Sequence, residues 1–338
     1  MTFTKNSRVL FNSVPTGYPV PGETTVYDST QTIDLENVSL EGGILLKTLV
    51  LSVDPYFRVL MNGEGHPASF QIGKPLYGFG IAKVLRSENT GFAIGQHVFG
   101  YNLVHEEYSV VPDPTGLQIM DKVANLPWSV YLGPAGLPGQ TAYIGWKEFA
   151  NAKEGETVFV TTGAGMMVIQ LAKQAGLKVI ASAGSEEKVK FMKSIGADVA
   201  FNYKFTDTRG VLAKEGPIDI YWDNVGGDIL DAALEFSAVQ GRFLECGAIS
   251  GYNTGHQPLK NFHLICDRSL HIHGVLMGHL PIAKYIGEFY ATMLPKLASG
   301  EIKFREDVSH GLDKMGDVIL AVQKGSNKAK AVVVVAED

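Results

Sequence analysis

The chain has 338 residues, enough for two ordinary domains, and its 45% apolar and 19% charged composition is that of a globular protein with large cores. A net charge of −6 without any basic stripe argues against nucleic acid and anionic membrane surfaces as partners, and no apolar run reaches the length of a membrane span. Two cysteines, Cys246 and Cys266, exclude a disulfide framework and a four-cysteine zinc site; with an N-terminus that lacks an apolar signal core, they point to the reducing cytoplasm.

Residues 1–130 predict a β-rich domain of barrel or sandwich type. Strand-like runs at 43–52, 80–85, 97–100 and 107–111 are separated by Gly, Pro and Asn clusters, without helical periodicity. The stretch Ser52-Val53-Asp54-Pro55-Tyr56-Phe57-Arg58 breaks a strand with a turn and leaves Tyr56 at its exit. Taken alone, Tyr56 reads as a turn tyrosine packed on the surface. Residues 126–145, rich in proline and glycine, predict a domain junction and then a helix start near Thr141.

The regular part of the chain starts at 157. Val158-Phe159-Val160 predicts a buried strand, Gly163 and Gly165 follow at once, and Val168, Leu171, Ala172 and Ala175 recur at helical spacing up to Gly176. Residues 177–183 return to strand composition. Strand, glycine turn, helix and strand make a βαβ unit, the unit that sets a nucleotide pyrophosphate on a helix N-terminus. The fingerprint is incomplete, because G-x-G-x-x-G requires a third glycine where this chain has Val168. By itself the stretch leaves nucleotide binding and a ligand-free βαβ unit equally open.

The alternation continues with a helix over 186–195, strands over 197–203 and 218–223, a helix over 228–238, and strands over 242–247 and 271–277. The fold class is therefore α/β, a doubly wound parallel sheet beside the β-rich domain. Residues 262–267 carry no assignment. Ile282, Tyr285, Ile286, Phe289 and Met293 share one face of an amphipathic helix over 282–297. The hydrophobic run 330–336 can rejoin the β-rich domain, which divides the chain into 1–130, a nucleotide domain at 131–298, and a return segment at 299–338.

Candidate chemistry gathers where these strands end. The second strand runs into Gly184 and Ser185 with no carboxylate for a ribose 2′-hydroxyl, whereas the Ser185 hydroxyl and Lys188 suit a 2′-phosphate, favouring NADP(H) over NAD(H). The plainer reading of Ser185 as a helix N-cap is compatible with this. Asp223-Asn224-Val225-Gly226-Gly227 and Cys246-Gly247-Ala248-Ile249-Ser250 end the fourth and fifth strands, at the sheet edge where ligands bind in open α/β folds. Tyr252 follows, with a phenol suited to a ribose hydroxyl or a developing enolate oxygen. Cys246 reads as a small residue beside a cofactor rather than a nucleophile. His271 and His273 share a strand face but lack a third ligand, so no metal is expected.

These residues together resemble the zinc-free branch of the medium-chain dehydrogenase/reductase superfamily, that of leukotriene B4 dehydrogenase, prostaglandin reductase and plant alkenal double-bond reductases. The resemblance covers nearly the whole chain. It rests on Asp54-Pro55-Tyr56 with Arg58, Leu132-Gly133 through Gly136-Leu137-Pro138-Gly139-Gln140-Thr141-Ala142-Tyr143, and Ala183-Gly184-Ser185 with Lys188. Further markers are Phe201-Asn202-Tyr203-Lys204, the two sheet-edge motifs with Tyr252-Asn253, and Gly325-Ser326-Asn327.

The resemblance implies a GroES-like β-domain in two segments, a Rossmann domain, NADPH as hydride donor, and α,β-unsaturated aldehydes or ketones as substrates. It implies that Gly163, Ala164, Gly165 and Met166 approach the pyrophosphate, and that Lys188 and Tyr203, with Gly184 and Ser185, hold the 2′-phosphate. Asn224 and Asn327 would serve the nicotinamide end. Cys246, Gly247, Ala248, Ile249 and Ser250 would line the cofactor, and Val275, Leu276 and Met277 would pass under the nicotinamide. Tyr252 and Tyr56 would flank the substrate carbonyl, and the resemblance implies a homodimer.

Two departures stand out. The glycine loop is a few residues short, Gly165 being followed by Met166-Met167-Val168, which puts cofactor affinity in question. The family's second arginine after the proline–tyrosine step is Leu60 here. Two other functions stay open on the same fold: a zinc-free quinone reductase, and a binding or scaffold protein whose shortened loop has lost the cofactor.

Overall fold

The computed structural model describes residues 3–63, 68–123, 125–161 and 165–338. The chain forms two compact units, Pro134–Phe304, and Met1–Gly133 with Arg305–Asp338.

In the first of these units, helix α1 (Leu137–Gly145) precedes six strands: β1 (Thr157–Thr161), β2 (Lys178–Ala183), β3 (Val199–Asn202), β4 (Ile218–Asp223), β5 (Ser237–Glu245) and β6 (His271–Gly274). Their spatial order is β3-β2-β1-β4-β5-β6, and every neighbouring pair is parallel. Helices α2 (Gly165–Gln174), α3 (Glu186–Ser194), α4 (Thr208–Glu215), α5 (Gly227–Glu235) and α6 (Ile282–Ser299) accompany the sheet. Strands buried on both faces read as near-continuous apolar runs, and the central strands do. Phe159, Ile180, Tyr221, Trp222 and Phe243 are fully buried. Because all six strands run the same way, the residues following each of them lie along one edge.

Beyond shifts of a few residues at element ends, such as α1 starting at Leu137 ahead of Thr141, several observed elements differ from the predicted ones. Helix α4 carries Gly210 in its first turn, which weakens its helical signal; its start is marked by Asp207, whose carboxylate accepts from Arg209 N–H at 3.1 Å and Gly210 N–H at 3.0 Å. Helix α5 ends at Glu235, and β5 begins at Ser237, ahead of the predicted 242. Strand β6 stops at Gly274, although Val275 N–H still donates to Glu245 O at 2.9 Å, and Met277 opens a 3₁₀ turn, Met277–His279. Within the unassigned 262–267 lies a one-turn helix, Leu264–Asp267.

The other unit is built on a seven-stranded sheet. Glu306–His310 lies parallel to Lys330–Val334, which runs antiparallel to Ile44–Ser52 with Val332 opposite Ser52. Tyr77–Ser87, His97–Val104 and Gln118–Met120 follow in antiparallel order, and Tyr108–Val111 pairs with Ile44–Ser52. Its core joins Ile44, Leu46, Leu51, Phe57, Phe70 and Val333; Leu60, at the arginine position of the family, is buried in that core. Among the described residues, no helix is long and apolar enough to cross a membrane.

Candidate active site

At the carboxyl edge of β4 and β5 two loops are tied to each other. The Asp223 carboxylate accepts from Val225 N–H at 2.7 Å and Gly226 N–H at 2.9 Å, while Asp223 O accepts from Cys246 N–H at 2.9 Å and Gly247 N–H at 3.1 Å. Ser250 caps the arrangement, its hydroxyl donating to Val225 O at 2.6 Å. Asn224 is fixed by the last residue of β1: Thr161 Oγ1 accepts from its N–H at 2.7 Å, and its Nδ2 donates to Thr161 O at 2.9 Å. Glycine is required here, since Gly226 has φ +69° and a Cβ on it would lie 2.9 Å from the Ala248 Cβ. The short one-turn helix Ile249–Tyr252 then folds Tyr252 back, so that its hydroxyl accepts from Ala248 N–H at 3.3 Å.

Burial sets the charges of this edge. The carboxyls of Asp223 and Glu245 stand opposite each other on neighbouring parallel strands. Burial, and then the Asp223 charge, push Glu245 up to about 9, and its Oε1 is buried without a hydrogen-bond partner. Burial raises the Asp223 carboxyl as well, against the lowering effect of the Gly226 and Val225 N–H groups, so that of the two it is Glu245 that is driven further toward its neutral form. Burial also pushes the Cys246 thiol up to about 12, which leaves it without thiolate character at neutral pH. The Tyr252 phenol is raised chiefly by burial, against the lowering effect of the Ala248 N–H, and remains a proton donor.

The ends of β2 and β3 form a second cluster. Ser185 N-caps α3, its hydroxyl accepting from Lys188 N–H at 3.4 Å. A Cβ on Gly184 would lie 2.9 Å from Tyr203 Oη and 3.3 Å from Lys204 Cε, so two polar side chains end over this glycine. The structure thus brings Gly184, Ser185 and Tyr203 together, sets Lys188 in the first turn of α3 behind the Ser185 cap, and adds Lys204. Of the expected glycine loop, Gly163 and Ala164 lie outside the described residues. Helix α2 starts at Gly165; Met167 and Val168 are buried and Met166 is partly buried. Val275 is buried against the small residue Gly145, whereas Leu276 is exposed.

The other unit carries Tyr56 and Asn327. Tyr56 stands just before a short helix, Phe57–Leu60, and meets the rings of Phe57 at 5.1 Å and Tyr101 at 6.3 Å. The surface-turn reading of Tyr56 does not hold: its hydroxyl is buried, and although the Phe79 backbone approaches its oxygen, none of the described residues accepts its proton. Burial first, then the charges of Asp54 and Tyr101, hold its pKa well above that of an ordinary tyrosine, partly offset by the Phe79 backbone. Arg58 is structural, donating to Gly17 O at 2.8 Å, Pro15 O at 3.1 Å and the Asn62 side chain. Asn327 Nδ2 donates to Ala329 O at 2.7 Å.

A parallel 3-2-1-4-5-6 sheet whose carboxyl edge is cleared by glycines and lined by fixed polar groups is a dinucleotide-binding domain. Models of two families match the chain, "Zinc-binding dehydrogenase" over residues 163–299 and "N-terminal domain of oxidoreductase" over residues 8–120. The chain is 38% identical to a 2-alkenal reductase (NADP(+)-dependent) of Nicotiana tabacum, over 98% of each chain. It is 33% identical to prostaglandin reductase 1 of Bos taurus, over 91% of this chain and 95% of the relative. The crystal structure of CurA from Vibrio vulnificus in complex with NADPH superposes with a TM-score of 0.85 at 31% identity, covering 98% of this chain and 100% of that one. The chain belongs to the medium-chain dehydrogenase/reductase superfamily, in its alkenal and prostaglandin reductase branch, and is an oxidoreductase. Residues 1–133 contain no cysteine, and among the described residues no three His, Cys, Asp or Glu side chains are grouped to hold a metal ion.

Proposed function

We propose that this protein reduces the carbon–carbon double bond of α,β-unsaturated aldehydes and ketones. NADP(H) is its cofactor: Ser185, Lys188, Tyr203 and Lys204 fit a 2′-phosphate above Gly184, and the Asn224 and Cys246–Ser250 backbone fits the cofactor's redox end. Bound NADPH supplies the hydride for the substrate's β-carbon. The electron pair of the double bond then moves onto the carbonyl oxygen as an enolate. A tyrosine phenol, Tyr56 or Tyr252, would donate a hydrogen bond to that oxygen, and a tyrosine or water would return a proton to the α-carbon.

The observation that carries this reading is the buried hydroxyl of Tyr56, whose proton finds no acceptor among the described residues and which its surroundings keep protonated. An unmet donor is costly in the free protein, and a developing oxyanion is the partner that satisfies it. The same reading places the protein in the cytoplasm as a homodimer acting on a small molecule. The test is an enone and a quinone assayed side by side with NADPH. Conversion of the enone to its saturated ketone is expected; turnover of the quinone alone would overturn the assignment.

A further inference from the structure

The turn that presents Tyr56 is held from several sides by one returning segment of the chain. Val53 N–H donates to Ala331 O at 3.1 Å, and Lys330 Nζ donates to Val53 O at 2.8 Å and to Asp54 Oδ1 at 2.7 Å. Gln323 Nε2 donates to Pro55 O at 2.9 Å, and the Ser52 hydroxyl donates to the second Asp54 oxygen. The Lys330 and Asp54 side chains are only 9% and 6% exposed. Space for the lysine stem comes from Gly133, where a Cβ would lie 3.3 Å from Lys330 Cγ.

A buried ion pair is a poor source of stability, because desolvation consumes most of its attraction and apolar pairs of similar volume often do better. Its distinguishing property is direction: two hydrogen bonds from one ammonium fix the carbonyl and the carboxylate of adjacent residues, two and three positions before the phenol. We propose that Lys330 is a positioning residue for Tyr56, clamping the Val53–Pro55 turn through Asp54 so that the phenol is preorganised for the substrate oxygen. This rests on the assignment of Tyr56 to the substrate carbonyl.

A double-mutant cycle in the full-length enzyme tests it, using Lys330→Met, Tyr56→Phe and the pair, with enone turnover and NADPH affinity by cofactor fluorescence. Displacing a catalytic group by an ångström costs up to about 10²-fold in rate, so Lys330→Met should lower kcat by about 10- to 100-fold. KM and the NADPH Kd should stay within about twofold of the parent, and in the Tyr56→Phe background the same substitution should change kcat by less than about twofold. If Lys330→Met costs the same factor with and without the phenol, the clamp does not act through Tyr56 and the proposal is wrong. If Tyr56→Phe itself leaves kcat unchanged, it is the assignment of Tyr56 that fails. Should Lys330→Met not fold, Asp54→Asn keeps an acceptor for the ammonium while removing the charge. Its smaller kcat loss should vanish in the same background, and persistence of that loss would count equally against the clamp.

Discussion

Substituting Gly184→Ala should weaken the discrimination between NADPH and NADH while leaving the fold intact. The added Cβ would lie 2.9 Å from Tyr203 Oη and 3.3 Å from Lys204 Cε, and both are ends of flexible side chains that can swing away. Gly184 does not have a positive φ, so alanine brings no backbone strain. The cost falls on the ligand. Losing a hydrogen bond to a charged group is worth about 1.5–3 kcal/mol, which raises the NADPH Kd about 10- to 150-fold. NADH has no 2′-phosphate and should bind both proteins alike. Fluorescence titration of each nucleotide measures this directly, and the parent's steeper salt dependence for NADPH should diminish with it. If both affinities fell together, the methyl would be blocking the dinucleotide as a whole. If neither changed, Tyr203 and Lys204 would not hold the phosphate.

Two further substitutions test the buried charges. Between pH 4.5 and about 9 the folded protein keeps a proton on Glu245 that the unfolded chain has released, so stability falls as pH rises through that window. Glu245→Gln removes this slope, and its urea midpoint should gain on the parent by the equivalent of about 1–3 kcal/mol between pH 6 and 8. Parallel pH profiles for the two proteins would show that Glu245 is ionised. The fully buried His105 is the mirror case. Burial lowers it to about 3, neither ring nitrogen has a hydrogen-bond partner among the described residues, and its ring lies 5.6 Å from that of Phe57. Below pH 6.5 the unfolded chain takes up a proton that the folded one refuses, so stability is lost as pH falls, by about 1.4 kcal/mol per unit toward pH 3. His105→Phe should lose about 2 kcal/mol less than the parent between pH 7.5 and 5 in urea unfolding; equal losses would refute the neutral buried imidazole.

Local signals made much of the nucleotide sheet legible. Strand β4 matches its predicted span residue for residue, because an apolar run is bracketed by Pro217 and by Asn224 with two glycines. The Ser185 N-cap and the glycine-bearing strand ends were readable for the same reason. What escaped depends on partners distant in sequence. Thr161 gains its role only when β1 lies beside β4, and Lys330 meets Asp54 across 276 positions. Glu245 is next to Cys246 in sequence and was passed over, since its buried neighbour Asp223 becomes visible only in the sheet register. Tyr56 looked like a surface residue because a turn signal carries no information about what packs over it.

The most direct test of the proposed reaction uses NADPH doubly deuterated at nicotinamide C4 with a simple enone, followed by NMR of the product. Double-bond reduction predicts a saturated ketone carrying one deuterium at the former β-carbon. An allylic alcohol with deuterium on the carbinol carbon would contradict it and make the protein a carbonyl reductase on the same fold.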